Sequence, residues 1–124
     1  MAIEAPVRLE DELFAGEDKV LRFLVTEADG VTKQNITGWQ VQYDLRKHAR
    51  DAEALVTKNT GSGIQLLDPD ATGFVHVCDV TLAAADTVDL ERGSYWHALW
   101  RTDVPDHAVL SFGKVALQVA GKIV

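Results

Sequence analysis

Trp39-Gln40-Val41-Gln42-Tyr43-Asp44-Leu45-Arg46 alternates apolar and polar residues without a break. Only an extended strand turns a period of two into one buried and one wet face, so this stretch predicts a half-buried β-strand. Residues 19–26 repeat the pattern, with Leu21, Phe23 and Val25 on one side. Shorter candidate strands follow at 54–58, 64–67 and 74–80, then at 93–103 and 110–119. Turn chemistry separates them: Glu27-Ala28-Asp29-Gly30, Asn59-Thr60-Gly61-Ser62-Gly63, Asp68-Pro69-Asp70-Ala71-Thr72-Gly73 and Asp103-Val104-Pro105-Asp106. About seven short strands at this spacing predict an all-β, immunoglobulin-like antiparallel sandwich. Its core should include Leu21, Phe23, Val25, Val41, Tyr43, Val77, Leu99, Leu117 and Val119. Helix should be confined to residues 81–87, with Thr81 as the cap.

The last strand carries a parity break, since Leu110 and Phe112 are even-numbered whereas Val115, Leu117 and Val119 are odd. One extra residue would put both sets on the same face, and Gly113 is the expected place for that bulge. The stretch Gly93-Ser94-Tyr95-Trp96-His97-Ala98-Leu99-Trp100-Arg101-Thr102-Asp103 is apolar on both faces. Its parity is open from the residues: reversed, both tryptophans fill the core, whereas with Tyr95, His97 and Leu99 inward, Trp96, Ala98 and Trp100 share the outer face. Two tryptophans there expose more apolar surface than a lone monomer usually leaves uncovered, so Trp96 and Trp100 are candidate interface residues.

The 124 residues make one domain, 1–124, with 47% hydrophobic and 25% charged residues. No run is long enough for a membrane helix. The start, Met1-Ala2-Ile3-Glu4-Ala5-Pro6, lacks the basic and apolar regions of a signal peptide, so synthesis in a cytoplasm is expected. The Asn35-Ile36-Thr37 sequon then carries no glycan. The formal net charge of −7 argues against a nucleic-acid partner. Charge is unevenly spread. Glu4, Glu10, Asp11, Glu12, Glu17 and Asp18 crowd residues 1–18, an expected acidic arm, whereas Arg46, Lys47, His48 and Arg50 form a basic cluster. Glu10, Asp11 and Glu12 of one subunit meeting Arg46, Lys47 and Arg50 of the next would make a salt-sensitive interface.

Catalytic and metal chemistry find little purchase. Counting from Asp68, oxygen side chains fall at positions one, three and five, with glycine at six and Asp79 at twelve, as in a calcium loop. The flanks read as strands, however, and Asp79 lacks the reach of a bidentate glutamate, so a hairpin turn explains the same residues. His76, His97 and His107 lack metal-ligand spacing, and the single cysteine, Cys78, reads as a small buried hydrophobe. No nucleophile elbow, phosphate loop or distinctive carboxylate pair is present, so neither enzyme activity nor a cofactor or metal is expected.

Three stretches together resemble a known pattern: Lys19-Val20-Leu21-Arg22-Phe23-Leu24-Val25-Thr26 followed by Ala28-Asp29-Gly30; Ile36-Thr37-Gly38-Trp39 leading to Leu45-Arg46-Lys47; and Gly93-Ser94-Tyr95-Trp96 running on to Leu99-Trp100-Arg101-Thr102-Asp103. In order and spacing, over residues 18–119, they resemble the immunoglobulin-like domains of tailed-phage virion proteins. The baseplate upper protein family, in its N-terminal domain, is the nearest such resemblance. It implies a structural virion component made in the host bacterial cytoplasm. Such a protein would be a homo-oligomeric adaptor, decoration or fibre base docking onto capsid, portal or tail proteins, with no nucleic-acid or membrane partner. The alternative is a carbohydrate-binding or adhesion module in which Trp39, Trp96 or Trp100 stack on sugar rings.

Overall fold

The computed structural model describes residues 12–27, 29–48, 50–104 and 108–119; at 12–14, 108–109, 111–112 and 118–119 it describes the backbone. Eight strands and one short helix run in the order β1 (Glu12–Ala15), β2 (Lys19–Leu24), β3 (Val41–Arg46), β4 (Val56–Thr60), β5 (Gly63–Leu67), β6 (Val77–Leu82), α1 (Ala84–Thr87), β7 (Gly93–Arg101) and β8 (Ala108–Val119). Hydrogen bonding links them as β1-β8-β7-β3-β4-β5-β6-β2. The strand beyond the expected seven is β1, which lies inside the acidic segment and pairs parallel to β8 from Glu12↔Ala116 to Ala15↔Val119. Residues 12–15 are therefore part of the sheet. Leu13 falls in register with the buried Leu117.

The continuous strand order is folded into two layers at the β4–β5 corner. There the chain passes through Gly61 and Ser62, and only Asn59↔Gly63 and Thr60↔Ile64 are paired. Gly61 and Gly63 hold φ of +83° and +97°, a region that L side chains rarely adopt. A Cβ on Gly63 would also lie 2.5 Å from the Lys58 side chain. The layers are thus β1-β8-β7-β3-β4 and β5-β6-β2. Across the gap Phe23 of β2 meets Tyr43 of β3 and His97 of β7, with ring centroids 6.2 and 6.4 Å apart. Strands four and five places apart in the hydrogen-bonded order meet in this way when two sheets face each other.

This is the immunoglobulin-like strand order, with β3, β7 and β8 as the C, F and G strands and β2, β6 and β5 as B, E and D. A local feature agrees. Tyr95, near the start of β7, donates its hydroxyl hydrogen to the Glu91 carbonyl at 2.6 Å, which forms the tyrosine corner of such folds.

Leu21, Phe23, Val25, Val41, Tyr43, Val77, Leu99 and Leu117 are all buried, as their alternation predicts; the Val119 side chain lies outside the described ones. Three expectations are corrected. Pairing of β7 with β8 runs regularly through His97↔Gly113, and the register shifts between Leu99, opposite Ser111, and Trp100, opposite Val109. The extra residue is thus Leu110, which is buried, and Phe112 stays in register with Ala98. The bulge restores parity three residues earlier than Gly113, because an extra leucine can be turned into the core there. Gly113 instead stays in the ladder as a regular partner of His97.

The helix lies within residues 81–87 as expected, but its cap is Ala83 and not Thr81, because Thr81 and Leu82 still pair with β2. In place of a threonine cap, the Asp86 carboxylate accepts from the Ala83 N–H (2.7 Å) and Asp18 from the Ala84 N–H (2.8 Å). The strand expected at 74–80 starts at Val77, since His76 turns into a loop network. Its Nε2 lies 3.2 Å from Asp70, and its Nδ1 lies 3.3 Å from the Phe74 carbonyl.

The 68–73 turn uses its oxygens internally. Asp68 accepts from the Thr72 and Gly73 N–H groups, both at 2.9 Å, and from the Thr72 hydroxyl. Among the described residues, no group of three or more His, Cys, Asp or Glu side chains is placed to hold a metal ion. The Thr72 backbone bond holds the Asp68 carboxyl below its usual range, and the Thr32 hydroxyl does the same for Asp29. Both groups bind protons less readily folded than unfolded. Their stabilisation is therefore complete above the unfolded value of about 3.9 and lost as pH falls through the lower folded value. The urea midpoint should hold between about pH 5 and 7 and decline below about pH 4, and Asp68→Asn should blunt that decline.

Cys78 is fully buried, and burial pushes its thiol up to about 12. A thiol reagent should leave the native protein unmodified and titrate one group per chain only in denaturant. Tyr95→Phe keeps the packing but removes the corner bond, and should lower stability by about 0.5–1.5 kcal/mol in urea titration.

Candidate interaction surface

The outer face of the β1-β8-β7-β3-β4 layer holds the residues singled out by sequence. Tyr95, His97 and Leu99 are buried in the core, so Trp96, Ala98 and Trp100 take the opposite side of the strand, the orientation expected from the resemblance. Neither tryptophan is a bare platform. Both are half-buried, and the Lys114 ammonium lies 5.3 Å from the Trp96 ring centroid. Trp39 is covered in turn by the Arg101 guanidinium at 3.9 Å, itself held in a fork by Asp103. Sugar stacking requires an open ring face, which the buried Trp39 under Arg101 does not offer.

Antiparallel pairing arranges this face in rows across β3, β7 and β8. Arg46, Trp96 and Lys114 make one row, and Asp44, Ala98 and Phe112 the next. Gln42, Trp100 and Val109 make the third. Alternation alone assigned Asp44 to a wet face, yet it is 2% exposed. Its carboxylate accepts from Gln42 Nε2 at 3.0 Å, Arg46 Nη1 at 3.0 Å and the Thr57 hydroxyl at 3.2 Å. Arg46 is fixed further by its Nε donating to the Asp51 carbonyl at 2.9 Å. The middle of the outer face is thus a dry, ordered polar cluster flanked by two indoles. Sequence signalled it only weakly, through polar residues at i, i+2 and i+4 on one strand.

The basic cluster does not act as a unit. Arg46 belongs to the Asp44 network, whereas Lys47 curls to the end of the core, 4.5 Å from the Tyr95 ring centroid. Arg50 is exposed on the following loop. Glu10 and Asp11 lie outside the described residues, and the Glu12 backbone opens β1 opposite Ala116. Lys114, which sequence did not single out, is the cation that the register brings beside Trp96.

No protein-family model matches the chain, and no curated protein is similar to it. A solved structure of murine CRIg is similar over 93% of this chain and 95% of that one, at 12% identity and a TM-score of 0.40. The fold assignment rests on the strand order and the tyrosine corner, and a likeness at that level adds nothing to it. No helix among the described residues is long and apolar enough to cross a membrane.

Removing Arg46 while keeping Asp44 leaves a buried carboxylate short of a charged donor. Arg46→Met should cost about 1–3 kcal/mol, discounted towards the lower end because the arginine is partly solvated. The double variant Asp44→Asn/Arg46→Met should recover part of that loss, as read by urea titration.

Proposed function

We propose that this chain is a non-catalytic assembly module of a bacteriophage or phage-like particle. In this reading it docks through the outer face of the five-stranded layer onto its own copies and onto capsid or tail proteins. The observation that carries the docking is the pair of half-buried tryptophans, Trp96 and Trp100, on either side of Ala98 over a pre-ordered polar cluster. Half-buried indoles beside locked polar groups lose little side-chain entropy on association and contribute strongly to binding. The virion setting is supported by the resemblance over residues 18–119. The stretches that carry it fall on β2, the approach to β3, and β7, which are strands that build the sandwich.

Trp100→Ser tests the docking. Self-association measured by sedimentation should weaken at least tenfold while the melting temperature of the monomer shifts little. An equally strong association, or a domain that no longer folds, would show that the tryptophan serves the core instead. The virion setting is tested separately by mass spectrometry of purified particles from the encoding strain. The chain should appear as a stoichiometric component, and its absence from intact particles would overturn the assignment.

A further inference from the structure

Asp29-Gly30 is the single Asp-Gly pair of the chain, and the sequence holds no Asn-Gly. Asp-Gly is among the dipeptides most prone to rearrange. The glycine nitrogen attacks the side-chain carboxyl carbon, the amide proton and the carboxyl hydroxyl leave as water, and a five-membered succinimide closes. Water then opens the ring at either carbonyl. One opening restores aspartate; the other leaves isoaspartate, in which the main chain runs through the side-chain carbon. Bulk does not oppose the reaction here. Asp29 and Gly30 are both exposed, and among the described residues no heavy atom lies within 4 Å of where a Gly30 side chain would begin.

Hydrogen bonds oppose it instead. The Gly30 N–H, which must lose its proton, donates to the Glu27 carbonyl at 2.9 Å. The Asp29 carboxylate accepts from the Val31 and Thr32 N–H groups, both at 2.8 Å, and from the Thr32 hydroxyl. Water leaves readily only from the neutral acid, and these bonds favour the anion. The Thr32 hydroxyl is the largest cause that holds this carboxyl below its usual range. We infer that Asp29-Gly30 is a latent isoaspartate site that the 27–32 turn holds shut, with Thr32 as its latch. Isoaspartate lengthens the backbone by one carbon and takes the carboxylate away from Val31 and Thr32. The Glu27 N–H to Thr32 carbonyl bond, at 2.8 Å, and the Thr26↔Lys33 bridge close the same loop. The modification is therefore a one-way loosening of this hairpin, independent of the docking face.

The test follows isoaspartate at this position in the full chain during prolonged warm incubation near neutral pH. Labelling by an isoaspartyl methyltransferase measures it, and peptide mapping with a protease that cuts before aspartate but not before isoaspartate locates it. The folded wild type should accumulate isoaspartate at least tenfold more slowly than the same chain in guanidinium chloride. Thr32→Val keeps the side-chain shape without the hydroxyl, and should accumulate it at least threefold faster than the folded wild type. Thr32→Ser restores the hydroxyl and should match the wild type. A folded wild type that reacts as fast as the unfolded chain overturns the inference, and so does an unfolded chain that forms no isoaspartate at Asp29. Thr32→Val reacting no faster than the wild type, or Thr32→Ser reacting as fast as Thr32→Val, removes the latch and overturns it equally.

Discussion

The contact of three rings, Phe23, Tyr43 and His97, is what the sandwich depends on. They come from β2, β3 and β7, which lie in both layers, and the Tyr43 hydroxyl is 2.9 Å from His97 Nδ1. The Tyr43 and His97 rings meet edge to face at 86° with centroids 5.6 Å apart. In antibody domains this place is held by a disulfide between strands B and F packed on a tryptophan of strand C. Here His97, two residues after the corner tyrosine, stands on the F strand and Phe23 faces it from the B strand. A ring contact and one buried hydrogen bond substitute for a covalent bridge, which suits a chain whose single cysteine is buried elsewhere. Gly113 stands directly opposite His97 in the ladder.

Much else is arranged around keeping the two layers in register on that contact. The Leu110 bulge turns one more leucine inward without displacing Gly113 from its partner. Lys58 of β4 bridges to Asp86 of α1 at 2.8 Å, tying the edge of one layer to the connection that leaves the other. The same Asp86 serves the Ala83 N–H. Burial raises its proton affinity, but the Lys58 bond and that N–H outweigh it and hold the carboxyl below its usual range. At the far edge, β2 leaves Val20 exposed, but Arg22 forks onto Asp79 at 2.8 and 2.9 Å and gives that edge charge. A charged edge is a poor template for further strand pairing.

How legible this was in sequence depends on what each signal measures. Period-two alternation reports which side of a strand is apolar, and it placed Leu21, Phe23, Val25, Val41, Tyr43 and Leu99 in the core correctly. It does not report how many side chains crowd the other side, so Asp44 was assigned to water although Gln42, Arg46 and Thr57 close over it. The parity break between Leu110 and Val115 announced a bulge, and glycine's tolerance of unusual backbone pointed to Gly113. Cross-strand register is invisible to a single strand, and the ladder runs regularly through Gly113 opposite His97 and shifts at Leu110 instead. Strand β1 was hidden for a related reason. Its four residues, Glu12-Leu13-Phe14-Ala15, are too few for periodicity, and parallel pairing to β8 joins positions about a hundred residues apart. Lys114 escaped notice because only register, not sequence proximity, puts it next to Trp96.

The outer face is the one place where local rules conflict. A sheet face left to water should be polar and mobile, and one meant for the core should be apolar. This one is neither: it carries two half-buried tryptophans around an aspartate as dry as a core residue. A buried carboxylate with three donors adds little to stability compared with apolar packing, because desolvation offsets much of the attraction. Its effect is to fix orientation. Gln42 and Arg46 are held along β3, and Arg46 is locked from the other side by the Asp51 carbonyl, so the rows on either side of Trp96 have one geometry. A surface ordered before it meets a partner loses less entropy on binding, and its aromatic flanks supply the contact area. Rigid polar order on an outward face is weakly rewarded in an isolated domain and strongly rewarded in a complex. That difference is the physical ground for treating the β3–β7–β8 face as a surface made to be covered.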